Sequence, residues 1–210
     1  MCGIVGYIGD KPVADILLDG LKQLEYRGYD SSGIAVRCPD KIKVYKAVGK
    51  WENLSAELMP PRTEIAAATV GIGHIRWATH GAPTVLNAHP HTCNCGNLVI
   101  VHNGIIENYK ELREKLSALG CVFKTQTDTE VVAHLVARKY AETKDLTEAV
   151  RIAVKEIEGA YALCVLHNDE KDKLVATKRN APLLVGIGEG EYFVASDVPA
   201  IIKHTKKAMY

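Results

Sequence analysis

Two places in this chain carry residue types that could do covalent chemistry, and the first is its beginning, Met1-Cys2-Gly3-Ile4-Val5-Gly6-Tyr7. If Met1 is removed, Cys2 owns both a thiol and a free α-amine. A thiol titrates near ~8.5 and an α-amine near ~7.7–8.0, so at neutral pH the amine is matched to the proton it must take. A nucleophile activated by its own amine is a recognised catalytic arrangement. The second place is His89-Pro90-His91-Thr92-Cys93-Asn94-Cys95, where potential metal or redox ligands recur at every second position. In an extended strand those side chains share a face, but His89 and Cys95 would lie ~20 Å apart, so a single ion would require a hairpin.

Composition limits what such groups can serve. The 210 residues are 47% hydrophobic and 24% charged, ordinary for a globular domain with a sizeable core. Basic and acidic residues nearly balance, 26 against 25, and the longest basic run is Lys206-Lys207. Nothing in this balance recommends nucleic acid or a membrane surface as a partner, and none is expected. No stretch approaches the ~18 apolar residues of a membrane span, and no leader pattern opens the chain, so the expectation is a cytoplasmic protein. Six cysteines are too few and too scattered for a disulfide scaffold.

The elements that must position Cys2 follow in order. Cys2 to Ile8 reads as a strand, and apolar residues at three- and four-residue spacing from Val13 predict a helix to about Tyr26. Arg27-Gly28-Tyr29-Asp30-Ser31-Ser32-Gly33 reads as a polar loop before a short strand, Ile34–Val36. Ile42–Val48 completes a hairpin, and a short helix is expected over Trp51–Leu58. Val70–Arg76 alternates as a strand and delivers Arg76 to the irregular loop Trp77–Pro83. Leu98–His102 is a further strand, ending in Asn103-Gly104. Helices are expected over Tyr109–Leu119, from a Thr127-to-Glu130 capping box, and from Asp145. Four strands fill the last quarter: Tyr161–His167, Lys173–Thr177, Leu183–Gly188 and Glu191–Ala195. Strands, then helices, then strands point to antiparallel sheets with helices in separate layers.

Taken together, several segments resemble one family. Cys2-Gly3-Ile4-Val5-Gly6, Leu24 to Ser31 (with Tyr26-Arg27-Gly28-Tyr29-Asp30-Ser31), His74 to Gly81, Asn87-Ala88-His89-Pro90-His91, His102 to Asn108 and Thr127 to Glu130 are similar, in order, to the glutamine amidotransferase domain of the glucosamine-6-phosphate synthases. The resemblance implies an N-terminal nucleophile hydrolase, α+β, with a four-layer αββα sandwich of two antiparallel sheets between helix layers. It implies that residues 1–210 form one glutaminase domain working without cofactor or metal. It further implies that Cys2 is the nucleophile, with Asn103 (side-chain N–H) and Gly104 (backbone N–H) as oxyanion donors and Arg27 steadying the Cys2 backbone. Arg76 would grip the α-carboxylate of glutamine and Asp128 its α-ammonium, while Trp77, Thr79 and His80 would belong to a lid. The ammonia would go to fructose-6-phosphate at sugar isomerase domains, which lie outside this chain, in a homo-oligomeric full-length protein. Three rivals stand beside this expectation: the glutaminase domain of another amidotransferase, an unprocessed, inert domain that keeps Met1, and a metal- or redox-binding module built on His89, His91, Cys93 and Cys95.

Overall fold

The computed structural model describes residues 1–59, 62–78 and 81–210. Its strands are β1 (Gly3–Ile8), β2 (Ser31–Arg37), β3 (Ile42–Val48), β4 (Val70–Arg76), β5 (His91–Thr92), β6 (Leu98–Ile106), β7 (Gly159–His167), β8 (Val175–Arg179), β9 (Leu184–Ile187), β10 (Tyr192–Ala195) and β11 (Ala208–Met209). Its α-helices are α1 (Val13–Gln23), α2 (Trp51–Glu57), α3 (Arg62–Ile65), α4 (Tyr109–Ala118), α5 (Thr129–Thr143) and α6 (Leu146–Ala153). Two wholly antiparallel sheets result, in the orders β11-β9-β10-β1-β4-β2-β3 and β5-β6-β7-β8.

Strand periodicity sorts the side chains into three apolar layers. On β1, Val5 and Tyr7 join Leu17 and Leu21 of α1, Leu54 of α2 and Ile65 of α3, whereas Ile4 turns the other way. On β7, Tyr161, Leu163 and Val165 pack against Val131, Val132 and Leu135 of α5 and Leu146, Ala149 and Val150 of α6. Ala162, Cys164 and Leu166 of the same strand face inward. There they meet Val99 and Val101 of β6, and Ile4, Ala35, Ile72 and Val194 from the larger sheet. Helix, sheet, sheet, helix is thus the order of layers. It also explains why β1, β7 and the first part of β6, Leu98–Val101, read as near-continuous apolar runs: each is covered on both faces.

Three local expectations change. β2 starts at Ser31, not Ile34, because Ser31 pairs with both Val48 and Arg76 and completes the ladder. β6 does not stop at His102; it runs through Asn103-Gly104 to Ile106, with Asn103 opposite Ala162 and Gly104 opposite Tyr161. Gly104 sits at φ +122°, and a Cβ there would lie 2.0 Å from the Ala160 carbonyl oxygen, which accounts for the glycine. Finally, no capping box opens α5. The Glu130 carboxylate reaches past Thr127 to accept from the Lys124 and Thr125 backbone N–H groups and the Thr125 hydroxyl.

Candidate active site

Register places Cys2. Gly3 of β1 pairs with Ile75 of β4, so the preceding residue falls beside Arg76 and Trp77 where β4 ends. The Trp77 backbone N–H donates to Cys2 Sγ at 3.3 Å. Burial pushes the Cys2 thiol above its usual range, and the Trp77 N–H opposes that only in part. A thiol in this environment needs a base close by. Met1 is exposed and precedes Cys2, whose nitrogen is therefore a peptide nitrogen in this structure.

Two side chains hold the Cys2 carbonyl. Arg27 Nε donates to it at 3.0 Å and Asn103 Nδ2 at 3.2 Å. Arg27 is buried and also pairs with Asp197 at 2.9 Å, an acid that accepts from the Tyr26 hydroxyl at 2.6 Å. These two donors, together with burial that opposes them, leave the Asp197 carboxyl below its usual range. Asn103 is fixed at both ends. Its Nδ2 donates to Ser196 Oγ at 2.9 Å, and its Oδ1 lies 3.0 Å from His74 Nε2. Because that His74 nitrogen also faces the His102 carbonyl oxygen at 2.9 Å, two acceptors surround it and it must carry the proton. Burial keeps His74 neutral, holding its pKa down to about 3.

The substrate-binding residues named from the sequence divide. Arg76 is buried and directs its guanidinium to the carbonyl oxygens of Gly81 (3.1 Å) and Ala82 (3.3 Å). Asp128, at the N-terminus of α5, accepts from the Ile106 backbone N–H at 2.8 Å, which ties the helix to the end of β6. Trp77 is half exposed and meets Tyr29 edge-on, ring centroids 5.5 Å apart. Thr79 and His80 lie outside the described residues.

Two cavities meet at Cys2. An inner crevice of about 20 Å³ is lined by Cys2, Arg76, Trp77, His102, Gly104 and Asp128 among others. An outer groove of about 340 Å³ is lined by Cys2, Trp77, Asn103 and Gly104, and then by the apolar Ile105, Ala160, Ala181 and Pro182. The inner one holds little more than a water, so a larger ligand enters only if its wall shifts.

The residues of the metal reading do not converge. His89 Nε2 lies 3.0 Å from Thr129 Oγ1 and His91 Nε2 3.2 Å from Thr127 Oγ1, while Cys93 and Cys95 sit together on the β5–β6 turn. Among the described residues no group of three or more His, Cys, Asp or Glu is placed to hold a metal ion. No described helix is long and apolar enough to cross a membrane.

Sequence reasoning missed Ser196, Asp197, His74 and Asp30. Asp30 accepts from the Ala78 backbone N–H and anchors the loop after β4. Ser196-Asp197 reads as an ordinary strand-end pair, and only the pairing of β10 with β1 brings it under Cys2. Gly28 carried a signal that was available. A Cβ there would meet the Arg76 carbonyl group at 2.6 Å, and a glycine between two polar loop residues is where such close approach is to be sought.

A model of the glutamine amidotransferase domain matches residues 82–203. Glutamine–fructose-6-phosphate aminotransferase (isomerizing) of Streptomyces coelicolor is 52% identical over 209 residues, and that of Thermus thermophilus is 53% identical over 210. All of this chain is covered, but only 34% of either relative, so the chain spans about a third of their length. Among solved structures, the glutamine phosphoribosylpyrophosphate amidotransferase of B. subtilis superposes with a TM-score of 0.80 at 26% identity, over 97% of this chain and 44% of that one. An allosteric regulatory enzyme of purine biosynthesis gives 0.81 at 27%, with the same coverage. The layered fold, the cysteine at the head of its central strand and these matches together place the chain in the glutamine amidotransferase domain family, of the N-terminal nucleophile hydrolase type.

Proposed function

We propose that this chain hydrolyses the side-chain amide of free glutamine through Cys2, giving glutamate and ammonia. The observation that carries the reading is that Cys2, Gly104, Arg76 and Asp128, from four different elements, line one crevice. Removal of Met1 comes first, because only then does Cys2 have an amine able to accept a proton. The thiol attacks the carboxamide carbon while its proton passes to that amine. Charge collects on the carboxamide oxygen, where fixed donors matter by ~10²–10³ in rate. The Gly104 N–H and Asn103 Nδ2 supply them, Asn103 by giving up the longer of its two bonds, the one to Cys2 O. The C–N bond breaks as the protonated α-amine returns that proton to the departing amide nitrogen, ammonia leaves, and a γ-glutamyl thioester remains. Water, deprotonated by the same amine, then releases glutamate.

Arg76 and Asp128 would bind the two ends of a free amino acid, the guanidinium exchanging its carbonyl partners for the α-carboxylate, which it can grip through two parallel bonds. Trp77, Thr79 and His80 belong to the loop that would close over it. Residues 1–210 would act as one glutaminase domain. In a longer protein the ammonia would pass to fructose-6-phosphate at sugar isomerase domains, the reaction in the name of its relatives. The apolar groove on the far side of Cys2 suits the exit of a neutral product. A homo-oligomeric, cytoplasmic full-length protein belongs to the same reading.

The test is glutamate release from glutamine by the purified chain, beside Cys2→Ala and an intact mass. Release that needs Cys2 and occurs only where mass shows Met1 absent is the expected result. A folded chain that begins at Cys2 and releases no glutamate would overturn the claim that this domain is a glutaminase on its own.

A further inference from the structure

The turn between β5 and β6 carries two thiols that the glutamine chemistry does not use. Cys93 is buried, Cys95 is exposed, and their sulfurs are 2.6 Å apart. The turn itself holds them there. The Cys93 N–H donates to the Leu98 carbonyl at 3.2 Å and the Gly96 N–H to the Cys93 carbonyl at 3.1 Å, with Gly96 at φ +73°. Asn94, between the two cysteines, is clasped by Val122: its Oδ1 accepts from the Val122 N–H at 2.9 Å and its Nδ2 donates to the Val122 carbonyl at 2.7 Å. Backbone and side chain thus fix the loop with both sulfurs on one side. Little chain entropy remains to be lost if a bond joins them. Cys38 and Cys164 are buried and Cys121 is half-buried, and among the described residues no other two thiols are hydrogen-bonded to each other.

We propose that Cys93 and Cys95 form a dithiol–disulfide site that exchanges with low-molecular-weight disulfides. Cys95, open to solvent, attacks first: its thiolate bonds to one sulfur of RS–SR, that S–S bond breaks, and RS⁻ leaves. The Cys93 sulfur, its proton passing to the departed thiolate, then attacks Cys95 Sγ, forming the Cys93–Cys95 bond and expelling the second RS⁻. The two protein thiols lose two electrons and two protons, and the small disulfide becomes two thiols. The order follows from exposure, since a buried thiol is slow to meet a solute and its thiolate is disfavoured.

Both cysteines, and no other, fall in one tryptic peptide, residues 77–110. The full chain is incubated with glutathione disulfide, its remaining thiols are alkylated, and it is digested. The expected peptide is two hydrogens lighter than its dithiol form, carries neither glutathione nor alkyl group, and returns to the dithiol with dithiothreitol. In Cys93→Ser the partner that resolves the mixed disulfide is missing, so Cys95 should keep its glutathione. A wild-type peptide that retains glutathione as that variant does, or one whose two thiols both remain free to alkylate, would overturn the proposal. Neither readout depends on glutamine hydrolysis.

Discussion

Cys2 gains its setting from neighbours that touch its backbone more than its sulfur. Its carbonyl is held by Arg27 and Asn103, while burial raises the thiol. A raised thiol means that no thiolate stands ready at neutral pH, so the α-amine must take the proton. The ratio kcat/KM should therefore fall on the acid side as that amine protonates. A pH profile that is flat from 6 to 9 would speak against the amine as base. Asn103→Ala should lower kcat by ~10²–10³ with little change in KM, because the amide meets charge that exists only in the transition state. Arg76→Lys should do the reverse. Loss of a two-pronged bond to a carboxylate corresponds to about 10- to 100-fold in KM with kcat nearly kept. Steady-state kinetics of the two variants separates these effects.

The decisive element is the end of the larger sheet where β1 begins beside the ends of β4 and β10. Ser196, just past β10, accepts from the Ile4 N–H at 2.7 Å and from Asn103 Nδ2 at 2.9 Å, joining the two sheets through one hydroxyl. Ser196→Ala should leave two buried donors without that acceptor and cost about 1–3 kcal/mol, measurable by urea unfolding. Activity should fall as well, since Asn103 would lose one of the contacts that orient it. At the matching end of the smaller sheet, Gly104→Ala should disturb the β6–β7 ladder itself. The new methyl would need the place of the Ala160 carbonyl, and φ +122° strains any side chain.

On the scale of the whole molecule, four buried histidines cluster behind the site: His74, His89, His91 and His102. The His74 and His89 rings lie 4.0 Å apart, and those of His89 and His91 4.5 Å. Burial lowers the pKa of each, so the folded chain keeps them neutral where the unfolded chain, titrating near 6.5, binds protons. A depressed histidine gives stability that is present above about pH 6.5 and lost as pH falls below it, at about 1.4 kcal/mol per unit for each group. Glu130 acts in the same sense but lower down. Burial would raise it, yet hydrogen bonds from Thr125 and Lys124 and the nearby His134 prevail and bring it to about 2, so its contribution fades as pH drops below about 4.5. Unfolding free energy should thus fall steeply between pH 7 and pH 5, by several kcal/mol. Denaturant titrations at stepped pH would show this, and equal stability at both ends would refute it.

Much of the fold is legible in the sequence itself. Period-two and period-3.6 patterns fixed most strands and helices, because alternate residues of a strand must face different layers whatever those layers are. Residue chemistry singles out Cys2 as a possible nucleophile, and the resemblance to a glutamine amidotransferase domain, not any local pattern, names Arg27, Arg76, Trp77, Thr79, His80, Asn103, Gly104 and Asp128 as candidates. What local sequence could not show is which segments become neighbours. The passage of β6 through Asn103-Gly104 depends on β7 waiting opposite, against the turn tendency of the Asn-Gly pair itself. Glu130 forgoes a local cap because Lys124 and Thr125 offer it three donors. Ser196 and Asp197 matter because β10, far along the chain, pairs with β1. The same rule parts His91 from Cys95, one bonded beneath α5 and the other on an open turn. Backbone periodicity is a property of a segment, whereas hydrogen-bond partners and burial belong to pairs of segments, and only the packed tertiary structure decides those.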